Sequence, residues 1–163
     1  HLALTDACLA DFDTNYKMCP PLRSEDDRKA LIKGVVDGTI EVIATDHAPH
    51  TETEKDREFN LAPFGITGSE TAFSVCHEVL VRSKKIGLSK LVELMSTRPA
   101  QLLGVDAGTL KIGSPADFVL IDENAEWTYS NPVSRSKNSP WLGKKLRGRV
   151  MRTFVDGREV FSA

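Results

Sequence analysis

What the sequence lacks removes several function classes at once. No apolar run among its 163 residues is long enough to span a bilayer, so no transmembrane helix is expected. Neither a Walker-type loop nor a GxGxxG segment is present, which leaves nucleotide phosphates without a cradle. A GxSxG elbow is missing too, and with it the usual setting of a serine nucleophile. The net charge is only −2, and no basic stripe with interleaved aromatics occurs, so no nucleic-acid partner is expected. Cysteine is sparse. Cys8, Cys19 and Cys76 are odd in number and form no CxxC pair, which reads as free thiols in a reducing, cytoplasmic compartment. No secretory leader is read, and the first residue is His1 rather than Met.

What is present suits a packed α/β protein. A hydrophobic fraction of 40% supports a core, and the length fits one domain or a piece of a larger one. The first nineteen residues lack a sustained period and read as loop, and Pro20-Pro21 then stiffens the backbone. Ser24 with Asp27 three residues on predicts a capped helix carrying Ala30, Leu31, Val35 and Val36, ended by Gly38. Residues 40–44 read as a buried parallel-type strand, with a short second one near 16–18. A long loop over 47–68 is charged at first and then apolar at Leu61–Ile66. Helices are predicted from Ala72 to Ile86, from a Ser89 cap through Met95, and from Pro99 to Gly104. After that the texture turns β-rich. A short strand near 109–112, a buried strand over 118–122, a further one at 127–129, an irregular connection over 130–148 and a hairpin closed at Asp156-Gly157 are expected. The chain therefore divides into an α/β part, 1–104, and a β-rich part, 105–163. One clear parallel-type strand cannot bury its faces alone, so the chain is expected to be the C-terminal portion of a larger enzyme.

The candidate chemistry sits in Ala44-Thr45-Asp46-His47-Ala48-Pro49-His50-Thr51. A carboxylate straight after a buried strand can be a metal ligand or a general base, or simply a helix-capping or turn aspartate. His50 can point into the same cleft and meet an anionic substrate, or be a surface-loop histidine. His47 reads as structural, buttressing a neighbour. His77 reads as packing or solvent-exposed, and His1 is alone at a chain end. Pro63-Phe64-Gly65 and Gly68 allow backbone to approach a ligand closely.

These residues, with Glu54-Lys55 and the run Ala62-Pro63-Phe64-Gly65-Ile66-Thr67-Gly68-Ser69-Glu70-Thr71, resemble the signature of bacterial-type dihydroorotases of the amidohydrolase superfamily. His1–Asp6, Lys17–Arg23, Thr97-Arg98-Pro99-Ala100 and Gly113–Asp117 match further family blocks. The resemblance implies the C-terminal part of a distorted TIM (β/α)8 barrel plus part of a small β-sandwich, with one or two zinc ions at the barrel mouth. It implies that Asp46 is a metal ligand and the base that moves a proton from water to the departing nitrogen. His1 resembles the sixth-strand metal ligand, His50 the histidine at the dihydroorotate carboxylate, and Phe64 and Gly65 the loop that holds the ring. Cys19 stands where many relatives carry asparagine, and a thiol is a weak hydrogen-bonding partner for substrate. A His-x-His pair, a bridging lysine or aspartate and a fifth-strand histidine would lie upstream of His1. The implied reaction interconverts dihydroorotate and N-carbamoyl-L-aspartate in pyrimidine synthesis. The implied partners are the missing N-terminal half, further copies in a homo-oligomer, and aspartate transcarbamoylase. With only part of the ligand set, the isolated chain is expected to be inactive. Two alternatives stay open: a non-catalytic subunit supporting aspartate transcarbamoylase, and another cyclic amidase of the dihydropyrimidinase or allantoinase type.

Overall fold

The computed structural model describes residues 1–163. Helices α1 (Glu25–Asp37), α2 (Glu52–Lys55), α3 (Ala72–Cys76), α4 (Leu88–Val92) and α5 (Arg98–Leu103) precede a sheet of β1 (Phe118–Thr128), β2 (Lys145–Val155) and β3 (Arg158–Ser162). Both α and β structure are present, in the expected order. The capping box at α1 forms as its sequence requires: the Ser24 hydroxyl accepts from the Asp27 N–H, the Asp27 carboxylate accepts from the Ser24 N–H, and Gly38 ends the helix. The buried stripe of α1, Ile32 and Val35, packs with Cys76, Leu80, Leu91 and Leu94 into one core. Burial in this apolar setting pushes the Cys76 thiol up to about 11, so it stays protonated and acts as a small hydrophobe.

Several expectations are corrected. The helix predicted from Ala72 to Ile86 is α-helical only through Cys76 and widens to a π-helical stretch over His77–Arg82. A second π-helical stretch, Glu93–Thr97, joins α4 to α5. There Pro99 has no N–H to give, and its ring crowds the carbonyl four residues back, so the regular ladder cannot run through. Helix α4 starts at Leu88, after Gly87, rather than at Ser89. Residues 40–50 form no strand. The backbone is extended, but Ile43 N donates to Leu94 O, Ala48 N to Ile66 O, and no sheet partner lies alongside. An apolar run has strand propensity, yet a strand exists only where a neighbour completes its ladder. Residues 14–16 are likewise a 3-10 turn. Within the 47–68 loop, Thr51 and Glu54 form a capping box that starts the short helix α2.

The sheet is antiparallel in the order β1-β2-β3. Strand β1 runs well past the predicted 118–122 because irregularities in the β1–β2 register, one of them between Asp122 and Glu126, absorb the polar residues there. Strand β2 begins at Lys145, inside the predicted connection, and the expected strand at 109–112 does not form. Asp156 and Gly157 both adopt positive φ and close the hairpin as expected. The sheet meets the helical layer at Gly148, whose carbonyl accepts from Ser74 Oγ and, at 3.3 Å, from Trp127 Nε1. A Cβ at Gly148 would lie 2.8 Å from His77 Nδ1, so only glycine fits under that buried ring.

Two buried lysines organise the long loop. Lys17 Nζ donates to the carbonyls of Phe59 (2.6 Å), Asn60 (3.2 Å) and Ala62 (2.6 Å). Lys55 Nζ donates to those of Pro63 and Gly65, both at 3.0 Å. Neither ammonium has a carboxylate ion-pair partner, so backbone dipoles carry the whole task of replacing water. Burial, and then repulsion from Lys17, holds the Lys55 pKa below its ordinary value. Replacing Lys17 by Met should cost about 2–4 kcal/mol, because the buried Ala62 carbonyl and the half-buried bonds to Phe59 and Asn60 lose their donor; a urea titration showing less than about 1 kcal/mol would reject this role.

Stability should also fall in acid. The Ser24 hydroxyl holds Asp27 below its ordinary value, the Thr51 N–H does the same for Glu54, and the Lys33 ammonium with Thr39 takes Asp37 down to about 2. A carboxyl with a depressed folded pKa contributes stability that is complete above its unfolded value, 3.8 for Asp and 4.5 for Glu, and lost as pH falls through the folded one. Unfolding free energy should therefore decline from about pH 4.5 down to about 2. An Asp37→Asn variant should show a shallower decline; identical slopes would count against the Lys33–Asp37 contribution.

Candidate active site

The segment 44–51 runs alongside the glycine-rich stretch 65–68. Ala48 N donates to Ile66 O at 2.9 Å, and Gly65 N donates to Lys17 O at 3.0 Å. Two glycines make this approach possible. Gly65 sits at φ +118, and a Cβ there would collide with the Ala48 side chain. A Cβ on Gly68 would run into Thr45 Oγ1 and the Asp46 carbonyl. The spacing between the Asp46 segment and the loop is therefore set by missing side chains.

Four predicted residues come together. His1, Cys19, Asp46 and Gly65 line one cavity of about 230 Å³, whose remaining wall includes Met18, Ile43 and Thr67. His50 and Phe64 do not line it. The His50 ring lies on the far side of the loop, in an open groove of about 780 Å³ with Lys55, Arg135, Lys137 and Asn138. Its Nε2 is 2.9 Å from the Phe64 carbonyl, and because a carbonyl only accepts, Nε2 carries the proton. The Phe64 ring is 57% exposed and caps Lys17, its centroid 4.5 Å from Nζ. A third cavity of about 430 Å³, between α3 and β2, contains none of the predicted site residues.

His47 takes the structural place expected of it. Its Nδ1 accepts the backbone N–H groups of Gly68 and Ser69, each at 3.3 Å, and so must be unprotonated there. His77 is packed, its ring stacked on Phe73 at 5.6 Å, with Glu123 3.4 Å from Nε2. His1 is ordered by a 2.8 Å bond between Nε2 and the Pro20 carbonyl. That acceptor puts the proton on Nε2 and leaves Nδ1 with the lone pair, the arrangement by which a backbone carbonyl orients a metal-binding imidazole. An imidazole and a carboxylate on one cavity are donors that zinc accepts, but a catalytic zinc site takes three protein ligands. No group of three or more His, Cys, Asp or Glu side chains assembles to hold a metal.

Three residues that shape the site carry no local sign of burial. Lys17 and Lys55 fall in segments that enter the family resemblance but read locally as solvated, and Asn138 lies in a connection with no periodicity. The Asn138 carboxamide reaches Ala48, His50 and Gly65 across 73 to 90 residues of chain. No local pattern announces such a contact.

The chain is similar to known proteins along nearly its whole length. Residues 8–160 match the model of the amidohydrolase family. The dihydroorotase of Elusimicrobium minutum is 51% identical over 159 residues, covering 96% of this chain and 37% of that protein. The dihydroorotase of Geotalea daltonii is 49% identical over 162 residues, covering 98% of this chain and 38% of its own length. Among solved structures, the L-hydantoinase (dihydropyrimidinase) of Arthrobacter aurescens superposes with a TM-score of 0.90 at 28% identity, over 99% of this chain and 37% of that one. A D-hydantoinase does so at 0.86 and 27%, with the same coverage. The chain thus spans well under half the length of the relatives it matches. On the family match, which takes in nearly the whole sequence, the chain belongs to the amidohydrolase family.

Proposed function

We propose that this chain is the C-terminal part of a zinc-dependent cyclic amidohydrolase that interconverts dihydroorotate and N-carbamoyl-L-aspartate. The observation that carries the reading is the meeting of His1 and Asp46 on one small cavity walled by the Gly65–Gly68 loop. Identity of 51% and 49% to two dihydroorotases supports dihydroorotate as the substrate. On this reading residues 1–104 belong to the last β/α units of a distorted TIM barrel and 105–163 to a composite β-sandwich. The remaining metal ligands come from an N-terminal half of the same enzyme. The complete protein works in the cytoplasm, in keeping with its three free cysteines. It forms a homo-oligomer and is a candidate partner of aspartate transcarbamoylase.

His1 through Nδ1 and the Asp46 carboxylate would hold zinc together with residues outside this chain, and zinc when bound would supply Lewis acidity at the ring carbonyl. Asp46 takes a proton from the attacking water and returns it to the departing ring nitrogen. One carboxylate can do both because the ring nitrogen leaves from the centre that the water attacks. The loop wall at Gly65, oriented through its neighbour Phe64, is where the cyclic amide would rest, and Cys19 lines the same cavity with a weak donor. The Nε2–H of His50 is the donor available to a substrate carboxylate, in exchange for the Phe64 carbonyl it now serves. The hydantoinase likeness favours a second reading, a cyclic amidase acting on hydantoin or dihydropyrimidine rings. A substrate panel on the complete enzyme separates the two.

In the complete enzyme, Asp46→Asn should lower kcat by about 100- to 10,000-fold, since it removes both a ligand and the proton carrier. Turnover within threefold of wild type would reject the role of Asp46. The 163-residue chain alone should show no dihydroorotate hydrolysis with zinc added, and steady turnover by it would reject the shared-site reading. Gly68→Ala should cut kcat/KM at least about tenfold by displacing Thr45 and the Asp46 backbone, with little effect if the loop is free to yield.

A further inference from the structure

Asn138 belongs to the polar connection between β1 and β2, far in sequence from every residue of the cavity except Trp141. It is nonetheless 5% exposed, and its carboxamide is engaged at both ends. Oδ1 accepts from the His50 N–H at 3.1 Å. Nδ2 donates to the Ala48 carbonyl at 2.9 Å and to the Gly65 carbonyl at 3.2 Å. Its own backbone carbonyl accepts from the Thr67 N–H at 2.9 Å. The amide orientation follows from its partners: two carbonyl oxygens accept only, so they must face the NH2 group.

These four bonds join two segments of chain, Ala48–His50 next to Asp46 and Gly65–Thr67 on the opposing loop. Apart from Asn138, only Ala48 N–Ile66 O and the His50 ring bonded to Phe64 tie them directly at this end. Lys55 fixes the loop from below through Gly65 O but makes no bond to residues 46–50. The carboxamide is therefore a brace across the seam between the wall that carries the base and the wall that receives the ring.

We propose that Asn138 is a positioning residue that sets the separation of these two walls, and so the fit of the cavity to a cyclic amide. The proposal rests on the functional reading above. Asn138 acts through Gly65 and Ala48, because it lies in the outer groove and does not line the cavity. Loosening the brace moves the ring-holding loop more than it moves Asp46, which the Gly68 contact still confines. Substrate binding should suffer more than the proton transfer.

The test uses the complete enzyme with Asn138→Ala and Asn138→Asp. The aspartate keeps the size and the acceptor for His50 N–H but has no donor for the two carbonyls. Both variants should raise KM for dihydroorotate at least about tenfold while kcat falls less than about threefold, and the pH at half-maximal kcat should stay where it is in wild type. Hydrogen exchange supplies a readout independent of turnover: the Ala48 and Gly65 amides should exchange at least about tenfold faster in both variants, with α1 and the β1–β2 ladder unchanged. Wild-type KM and unchanged exchange in Asn138→Asp would overturn the proposal. So would a loss confined to kcat with a shifted pH profile, which would mean that Asn138 acts on Asp46. Uniformly faster exchange across α1 and the sheet would overturn it as well, by showing a general loss of stability. If the wild-type enzyme turns over none of the cyclic amides, the functional reading fails, and the exchange data still decide whether the brace exists.

Discussion

Two ammonium groups buried without carboxylates set the terms for the functional half of this structure. A desolvated lysine must recover what water gave it, and Lys17 and Lys55 do so from five backbone carbonyls between Phe59 and Gly65. The loop can satisfy them only by wrapping its carbonyls inward, which fixes its path residue by residue. An ion pair would have needed one oxygen from one side chain and left the loop free. The carbonyl solution uses the loop's own backbone, so the shape of the loop and the stability of the lysines are the same fact. Phe59 and Phe64 then lie over the Lys17 ammonium, at 5.4 and 4.5 Å from their ring centroids, and keep water from competing.

From that fixed loop the cavity is built. Gly65 receives Lys55 on its carbonyl and gives its N–H to Lys17 O, so its neighbours Ile66 to Gly68 are delivered against residues 45–48. The absence of side chains at Gly65 and Gly68 decides how close they come. His47, pinned by the N–H groups of Gly68 and Ser69, closes the same seam from the other side of Asp46. Asp46 thus stands between two points of attachment while its own carboxylate takes no part in holding the backbone. The proton-carrying role proposed for Asp46 would gain from that separation, since the carboxylate is not needed to hold the frame.

How much of this is legible in the sequence depends on the range of the interaction. The Ser24–Asp27 cap, the Gly38 and Gly104 helix ends and the Asp156-Gly157 turn are determined within a few residues, and all form where the local chemistry places them. The apolar run at 40–44 reads as a strand because its composition suits one, but pairing is a property of neighbours, and here the N–H of Ile43 goes to a helical carbonyl. The π-helical stretches escape an amphipathic pattern because widening the turn blurs the period without erasing the apolar face. Lys17 and Lys55 look like solvated charges until five carbonyls are gathered by the fold, and Asn138 has no signal at all within its own stretch. Of the four cavity residues, Asp46 and Gly65 are marked by local chemistry, while His1 and Cys19 are reached through the resemblance to a family signature, which carries long-range information that spacing within one chain does not.

On the proposed zinc reading, the fold and the chemistry divide differently along this chain. A packed core and a three-stranded sheet form among the 163 residues. The site on that reading would draw further ligands from outside, since a metal needs ligands converging from several directions and this chain approaches the cavity from two, the His1 end and the Asp46 segment. What it does supply in full is orientation. The Pro20 carbonyl sets the His1 tautomer, the glycine seam places Asp46, and the lysine-held loop forms the wall opposite. If His1 and Asp46 are the ligands proposed, preorganising them and the wall would lower the ordering that remains when further ligands arrive, so a site completed from outside would still be rigid where the proton moves.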